Sequence, residues 1–338
     1  MPLYRRLMDQ RRLGNLLFLW PIAIGLLWVS GPFLNAEEPP SLQEEAVAEI
    51  RLRGGKVTVD ENDPIHPIIG VDMDDFHNVG AKLRFVDGFK QLKQLSLSHT
   101  DLTDADLNRI CRFTQLEKLH IGGTAITNSG LKCLHRLPKL KLLSLAESIN
   151  INSDGVKNLA GMQSLTHLKL SYTNVDDPAL RHIAKGLPQI EVLWLSDTRI
   201  TNSGLQNLEP LPRLRVLDLS HITNVGLEHL SKISTLERLG MEGSELADAD
   251  LIHFERLCRL RELTINPAPK ITNAGLKHFA PLTKLKKLEI YNCQATDQGL
   301  ENLFGLSQLK RLAVGKNVTA AGIERLHQAL PNCKVSAL

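Results

Sequence analysis

The sequence predicts an α/β solenoid: a right-handed, horseshoe-curved stack of short repeats, with a parallel β-sheet on the concave face and short helices on the convex face. The first observation is the stretch Leu116 to Lys139, which reads L-x-x-L-x-I, a polar turn, and L-x-x-L-x-x-L. Its first half alternates with the period of a strand, and its second half has apolar residues three apart, as a short helix does. Because neither half can bury its apolar side alone, the unit must stack on copies of itself.

The second observation is that this unit recurs in one register along most of the chain. Eleven units, mostly of 24 residues, run from Ile68 to Asn332. Their first residues are Ile68, Leu92, Leu116, Leu140, Leu165, Ile190, Leu214, Leu236, Leu260, Leu285 and Leu309. A period of this length with the pattern L-x-x-L-x-L is the signature of a leucine-rich repeat solenoid.

The third observation is a second motif that follows the strand pattern. It occurs at Thr103-Asp104, Thr127-Asn128, Thr201-Asn202, Thr272-Asn273 and Thr296-Asp297. With the Gly-Leu pairs that follow most of them, these segments resemble the T-D-x-G-L repeats of the cysteine-containing, ribonuclease-inhibitor-like branch of leucine-rich repeat proteins. That branch is found in F-box substrate receptors and in many bacterial envelope proteins. The resemblance implies a binding scaffold and no particular ligand.

Charge argues against nucleic-acid binding. The net charge is +3, but four arginines and one aspartate precede the first apolar run, and the remaining chain carries 36 basic and 36 acidic residues. Nonspecific nucleic-acid binding needs an excess of Lys and Arg to neutralise phosphates. A neutral body therefore predicts a different kind of partner.

The cysteines predict small buried or half-buried thiols. There are five, Cys111, Cys133, Cys258, Cys293 and Cys333, with no C-x-x-C pair and no metal-ligand spacing to a histidine. An odd number without paired spacing predicts that no disulfide framework forms.

The amino-terminal region predicts a membrane anchor. Residues 1–12 are basic, and Leu13 to Leu34 is an almost uninterrupted apolar run of 22 residues. About 20 such residues span a bilayer, and the preceding arginines predict a cytoplasmic amino terminus. The prediction is a single-pass protein of the cell envelope with its repeats outside the cytoplasm. The alternative is a signal peptide cleaved near Leu34-Asn35-Ala36 and a secreted protein.

Both ends of the repeat array predict caps. Residues 35–67 form a spacer and an amino-terminal cap, in which Ser41 and Glu44 make a capping box before a helix, and a strand follows at Val57-Thr58-Val59. Residues 68–332 form the repeats, and residues 333–338 form a carboxyl-terminal cap. Each strand is followed by a small polar residue, which predicts a buried hydrogen-bond ladder: Thr100, Thr124, Ser148, Thr173, Thr198, Ser244, Cys293 and Asn317.

No pattern of catalytic, cofactor-binding or metal-binding residues is present. The sequence lacks H-E-x-x-H, G-x-S-x-G and the phosphate-binding G-x-x-x-x-G-K-[ST]. Asp72, Asp74 and Asp75 could bind a cation, but a solvated acidic rim is favoured because no further ligands follow. We therefore predict a protein that is not an enzyme and uses neither cofactor nor metal.

The repeat register predicts which residues share the concave face. Strands stack about 4.8 Å apart, so the residues between the last two strand leucines form one column. That column reads Asp72, Ser96, His120, Ser144, Lys169, Trp194, Asp218, Gly240, Thr264, Glu289 and Ala313. The predicted ligand-binding residues are Trp194, Tyr172, Lys169, Asp197, Asp218, His221 and Glu242. An exposed tryptophan ringed by charges is typical of a binding hot spot, and packing alone is the alternative.

The leading hypothesis is a membrane-anchored scaffold that binds another protein or a peptide on its concave face. A glycan or cell-wall recognition module is the alternative, since aromatic rings stack on sugars. A substrate receptor for ubiquitin ligases is a third and weaker reading. A single central aromatic with mixed charges favours a protein partner over a glycan.

Overall fold

Thirteen strands form one continuous sheet in the structure, a computed structural model that describes residues 41–337. Neighbours in the sheet are neighbours in the chain, from β1 to β13. The strands are β1 Lys56–Val59, β2 Ile68–Asp72, β3 Gln94–Ser96, β4 Lys118–His120, β5 Leu142–Ser144, β6 His167–Lys169, β7 Val192–Trp194, β8 Val216–Ser220, β9 Arg238–Glu242, β10 Glu262–Asn266, β11 Lys287–Ile290, β12 Arg311–Val314 and β13 Lys334–Ala337.

Short helices connect most of the successive strands. The α-helices of the described residues are α1 Leu42–Leu52, α2 Val79–Val86, α3 Asp104–Ile110, α4 Ser153–Lys157, α5 Asp177–Gly186, α6 Asn224–Leu230, α7 Asn273–Leu276, α8 Asp297–Leu300 and α9 Ala320–Ala329. Segments of 3-10 helix cover Gly130–Arg136, Ser203–Leu208, Asp248–Arg256, Lys277–Phe279 and Glu301–Leu303. From β2 onward every pairing is parallel, and right-handed crossovers between sequential parallel strands place the connections on one side of the sheet. The predicted α/β solenoid is confirmed.

The core lies between the sheet and the helices and follows the predicted alternation. In β7, Leu193 is fully buried and the next leucine, Leu195, is 1% exposed, whereas Val192 and Trp194 on the other face are half-buried. Helical leucines such as Leu205 and Leu208 close the core from the opposite side and are fully buried. The Leu, Ile and Val positions of each repeat thus build one core that runs the length of the stack.

An antiparallel strand and a helix close the amino-terminal end of the sheet. The Ser41 hydroxyl accepts a hydrogen bond from the Glu44 N–H at 3.3 Å, and the Glu44 carboxylate accepts one from the Ser41 N–H at 2.8 Å, which confirms the capping box. Strand β1 pairs antiparallel with β2, and β13 pairs parallel with β12 at the other end. The exact division of the chain into five segments stays a prediction.

The threonines after the strands hydrogen-bond to the turn as predicted. The hydroxyls of Thr100, Thr124, Thr173 and Thr198 each donate to the carbonyl three residues earlier, at 2.6–2.8 Å. The Ser148 hydroxyl is buried and has no partner among the described residues. At Cys293 the sulfur instead accepts a hydrogen bond from the Gly315 N–H, at 3.2 Å.

A second ladder joins each helix start to the next repeat and explains the Thr-Asp and Thr-Asn motifs. Asp104 accepts hydrogen bonds from the Thr127 N–H at 2.8 Å and from the Thr127 hydroxyl at 2.6 Å. A Cβ on Gly130 would overlap Asp104 Oδ1, so glycine leaves room for the carboxylate. The same bonds recur in the pairs Asp177–Thr201, Asp248–Thr272 and Asp297–Thr319, and asparagine accepts the N–H bond in Asn202–Thr223 and Asn273–Thr296.

The prediction that the cysteines form no disulfide is wrong for one pair. Cys111 and Cys133 form a disulfide with their Cα atoms 6.0 Å apart, and it joins the end of α3 to the 3-10 helix Gly130–Arg136 of the next repeat. The two residues lie on neighbouring helices, which places them within the usual span of a disulfide. Cys258, Cys293 and Cys333 are free, and only Cys258 is exposed.

The predicted anchor lies outside the described residues. Residues 1–12 and the apolar run Leu13 to Leu34 both precede residue 41, where the described part of the chain begins. Within residues 41–337, none of the helices has the length and the apolar character needed to cross a membrane.

Candidate binding surface on the strand face

The side of the sheet that faces away from the helices carries the predicted column of residues, and we name it the strand face. The register pairs Asp72 with Ser96, Lys169 with Trp194, and Trp194 with Asp218, and the same position recurs in every strand from β2 to β12. The column read from the sequence is therefore confirmed. Strands stack about 4.8 Å apart while helices need 8–10 Å, so the strand face is the concave side of the stack.

Trp194 lies at the centre of the strand face but is half-buried instead of exposed. The Lys169 ammonium lies 3.7 Å from the centroid of the indole ring, a cation–π contact between neighbouring strands. Burial lowers the pKa of Lys169. The Trp194 Nε1 atom is buried and finds no acceptor among the described residues. The ring is thus held in place by its neighbour and presents only part of its surface.

Asp218 is the neighbour of Trp194 on the other side. A Cβ on Gly240 would overlap its Oδ1, so the carboxylate lies across the glycine of β9. Burial raises the pKa of Asp218, while the charge of Arg238 opposes this shift. Trp194 is therefore flanked along the column by a partly desolvated cation and a partly desolvated anion.

Tyr172, Asp197 and His221 form a second row just beyond the strands, three residues after the ends of β6 and β7 and one residue after the end of β8. All three have positive φ, between 53° and 58°, a conformation that is uncommon outside glycine. The Asp197 carboxylate raises the pKa of Tyr172, and its Oδ1 lies 3.9 Å from His221 Nε2. Tyr172 is 52% exposed. The carboxylate thus links the two rings along the rim of the strand face.

Glu242 is the predicted residue that lies farthest along the sheet from Trp194, two strands away. It is exposed at the end of β9, where it pairs in register with Ser220, and its carbonyl accepts the His221 N–H at 2.7 Å. The pKa of Tyr172 is raised chiefly by Asp197 and, to a smaller extent, by the charge of Glu242. Glu242 therefore belongs to the border of the surface.

An apolar column beside Trp194 was not among the predicted site residues. It consists of half-buried side chains two residues before the Trp194 column: Leu142, His167, Val192 and Val216. Burial lowers the pKa of His167, which favours its neutral form. The sequence already indicates this column, because the same repeat position holds a charged residue just before it, at Lys118, and just after it, at Arg238. We name these four residues together with Lys169, Trp194 and Asp218 the central patch.

The acidic residues at the start of the strand face make structural contacts. Asp74 Oδ1 accepts hydrogen bonds from the Ser96 hydroxyl at 2.7 Å and from the Ser98 N–H at 2.6 Å. Asp72 pairs with Lys56 at 3.5 Å. In residues 41–337 no three His, Cys, Asp or Glu side chains are grouped so that they could hold a metal ion.

The fold and the repeats define a leucine-rich repeat protein. A family model described as Leucine Rich repeat matches residues 114–134 and 161–184. The crystal structure of an internalin, inlF, from Listeria monocytogenes covers 90% of this chain and 99% of its own, with 16% identity and a TM-score of 0.51. An internalin C2 from the same species covers 70% of this chain and 83% of its own, with 23% identity and a TM-score of 0.43. At these identities the first likeness shows the fold alone.

One curated relative, "Distal membrane arm assembly component 2" of Drosophila melanogaster, is 34% identical over 111 residues. The match covers 32% of this chain and 38% of the relative. The chain therefore matches well under half of the length of that relative.

The predicted localisation, a cell-envelope protein anchored in the membrane or secreted, is wrong on these findings. None of the helices in residues 41–337 could cross a membrane, and the curated relative is described as an assembly component from Drosophila melanogaster. The prediction relied on the apolar run Leu13 to Leu34, which lies outside the described residues, and on an analogy with envelope proteins.

Proposed function

We propose that this protein is a noncatalytic scaffold that binds another protein, or a peptide segment of one, on its strand face. The observation that carries the proposal is the central patch, in which an aromatic ring and an apolar column occupy the middle of an otherwise polar sheet surface. Large aromatic side chains in partly desolvated surroundings are where binding energy concentrates in protein interfaces.

The shape of the strand face supports a macromolecular partner. The eleven strands β2 to β12 are separated by ten spacings of about 4.8 Å, which gives a surface roughly 50 Å long. Small ligands bind in enclosed pockets, whereas the central patch is one part of a long open sheet. The description of the curated relative as an assembly component is in keeping with a protein-binding role here.

Preorganisation of the patch also supports the proposal. The Lys169 ammonium packs on the ring of Trp194, and this contact favours one rotamer of the ring before a partner binds. Ordering a rotamer-rich side chain costs about 0.5–1.5 kcal/mol on binding, and a fixed ring avoids that cost. The opposite charges of Lys169 and Asp218, on either side of Trp194, favour one orientation of the bound partner.

Site-directed photo-crosslinking tests the proposal. A benzophenone amino acid replaces Val216 in the central patch, and the matched control carries it at Lys132 on the helix side. We expect crosslinks to one defined protein from Val216 only, and their loss when Trp194→Ala is added. Crosslinks from Lys132 alone, or equal yields from both positions, would place the working surface elsewhere.

A further inference from the structure

The strands at the carboxyl-terminal end of the sheet carry a cluster of cations that lack carboxylate partners. In earlier repeats the residues that enter the strands alternate in sign and form ion pairs, such as Lys141 with Glu117 at 2.8 Å and Arg215 with Glu237 at 3.0 Å. Arg261 closes this series with a 3.4 Å pair to Glu237. Beyond Arg261 the alternation stops.

Four cations follow at the starts of the last three strands, and we name them the basic ladder: Lys286, Lys310, Arg311 and Lys334. The Lys310 N–H donates to the Lys286 carbonyl and the Lys334 N–H to the Lys310 carbonyl, each at 2.9 Å, so successive strand entries are adjacent. Arg311 pairs in register with Lys334. Within residues 41–337, no carboxylate lies within 4.0 Å of a charged nitrogen of these four side chains.

The carboxylate closest in register to the ladder is already occupied. Glu289 is 8% exposed and pairs with Lys287 at 2.9 Å, and it accepts a hydrogen bond from the Thr264 hydroxyl at 3.2 Å. Burial acts to raise the pKa of Glu289, but the bonds from Lys287, Tyr291 and Thr264 outweigh it and the pKa is lowered. Glu289 is thus already paired with Lys287, and it does not neutralise the charge of the basic ladder.

Like charges on adjacent strands repel each other and destabilise a sheet. An arrangement of this kind is favourable when a ligand of opposite charge covers it, because the surface then attracts and orients that ligand. We propose that the basic ladder binds an acidic segment of the protein partner, a run of about four Asp or Glu residues. This inference rests on the proposed function, since the same sheet supplies both contact areas.

Dimensions favour an acidic peptide over a nucleic acid. The four cations lie at the starts of strands β11 to β13, which are separated by two spacings of about 4.8 Å, or about 10 Å in all. The first and fourth residues of an extended peptide are three steps of about 3.3–3.6 Å apart, also about 10 Å, so a run of four acidic residues matches the length of the ladder. Duplex DNA presents one charge per about 1.7 Å and typically engages many more phosphates than four cations can neutralise. The ladder lies about five strand spacings, or 24 Å, from Trp194, within reach of one extended segment.

Fluorescence anisotropy with a labelled heptaglutamate peptide tests the inference, with a short DNA duplex and heptalysine as comparison probes. The variant is Lys310→Glu/Arg311→Glu, and the matched control is Lys132→Glu/Lys157→Glu, two exposed cations of neighbouring repeats on the helix side. Circular dichroism verifies that both variants are folded. We expect the wild type to bind heptaglutamate, the ladder variant to bind about tenfold more weakly or worse, and the control to bind like the wild type. Binding should vanish in about 1 M salt, where the Debye length is about 3 Å.

Three results would overturn the inference: no binding of heptaglutamate, equal losses in the ladder variant and the control, or tighter ladder-dependent binding of DNA than of the peptide. The last result would mark a nucleic-acid site. If heptaglutamate does not bind but crosslinking at Val216 succeeds, the acidic segment is ruled out and the proposed function stands. If heptaglutamate binds through the ladder but crosslinking at Val216 fails, the proposed binding of a protein at the central patch is ruled out.

Discussion

Asp104 of one repeat accepts two hydrogen bonds from Thr127 of the next repeat, one from its N–H at 2.8 Å and one from its hydroxyl at 2.6 Å. The contact joins successive units on the side of the stack away from the strand face. It recurs in later repeats with Asp or Asn as the acceptor. This relationship gives the Thr-Asp motif a physical role: each repeat satisfies polar groups at the turn of its successor.

The first prediction concerns this contact. Asp104→Ala should lower the free energy of unfolding by about 0.5–2 kcal/mol, as the loss of a capping side chain does. Asp104→Asn should cost less, because asparagine accepts the same N–H bond at Asn202 and Asn273. Urea denaturation of the three proteins measures the difference. Equal losses for the alanine and asparagine variants would show that charge, and not the bond to the N–H, stabilises the turn.

Gly130 provides a double-mutant cycle for the same contact. Gly130→Ala places a methyl group against Asp104 Oδ1, so it should destabilise the wild type. In the Asp104→Ala background the carboxylate is absent, and the same change should cost much less. A coupling energy of about 0.5–3 kcal/mol is typical of residues in contact, and a value near zero would contradict the close approach.

The second prediction concerns the two faces of β7. Leu195 is 1% exposed, and Leu195→Ala should cost roughly 2–5 kcal/mol. Trp194→Ala should cost less, since the ring is half-buried on the strand face, where the Lys169 ammonium lies over it. Denaturant titrations compare the two variants with the wild type. A larger loss for Trp194→Ala would assign the ring to the core.

The strand face could be predicted from the sequence because two simple periods determine it. Alternation by two within a strand and one register of mostly 24 residues between strands place Lys169, Trp194 and Asp218 side by side. The burial of Trp194 could not be predicted this way, because it depends on the rotamer that brings the Lys169 ammonium over the ring. Sequence spacing specifies the face of a residue and leaves its side-chain contacts open.

The disulfide could not be predicted for a different reason. Cys111 lies 19 residues after Leu92, whereas Cys133 lies 17 residues after Leu116, so the two cysteines hold different positions in the repeat frame. The repeat that contains Cys111 forms an α-helix, Asp104–Ile110, and the repeat that contains Cys133 forms a 3-10 helix, Gly130–Arg136. A 3-10 helix rises more per residue than an α-helix, so fewer residues cover the same length. Cys133 therefore lies beside Cys111 although it comes earlier in its repeat.

The third prediction concerns this disulfide. In denaturant without reductant, a thiol reagent should titrate three cysteines, Cys258, Cys293 and Cys333, and after reduction it should titrate all five. Closing a loop of this size stabilises a protein by about 3 kcal/mol in the chain-entropy description, so reduction should lower the resistance to urea. Five reactive thiols before reduction would contradict the pairing.

The fourth prediction concerns pH. Burial raises the pKa of Asp218, so this carboxyl binds its proton more tightly in the folded state than in the unfolded state. The resulting stabilisation is fully present below the unfolded pKa of about 3.9 and is lost as the pH rises through the folded pKa. In the Asp218→Asn variant the side chain is an amide, which does not titrate in this pH range. Its unfolding free energy relative to the wild type should therefore rise between about pH 4 and neutrality, and a constant difference would contradict the desolvation of Asp218.

The central claim is that the strand face binds a protein partner through Trp194, and the most direct test is the affinity of that partner once crosslinking has identified it. Titrations compare the wild type with folded Trp194→Ala and with Lys132→Glu, an exposed change on the helix side. Loss of an aromatic hot spot typically costs 2 kcal/mol or more, so Trp194→Ala should bind at least about tenfold more weakly while Lys132→Glu binds like the wild type. Unchanged binding of Trp194→Ala together with abolished binding of Lys132→Glu would contradict the claim and assign binding to the helix side.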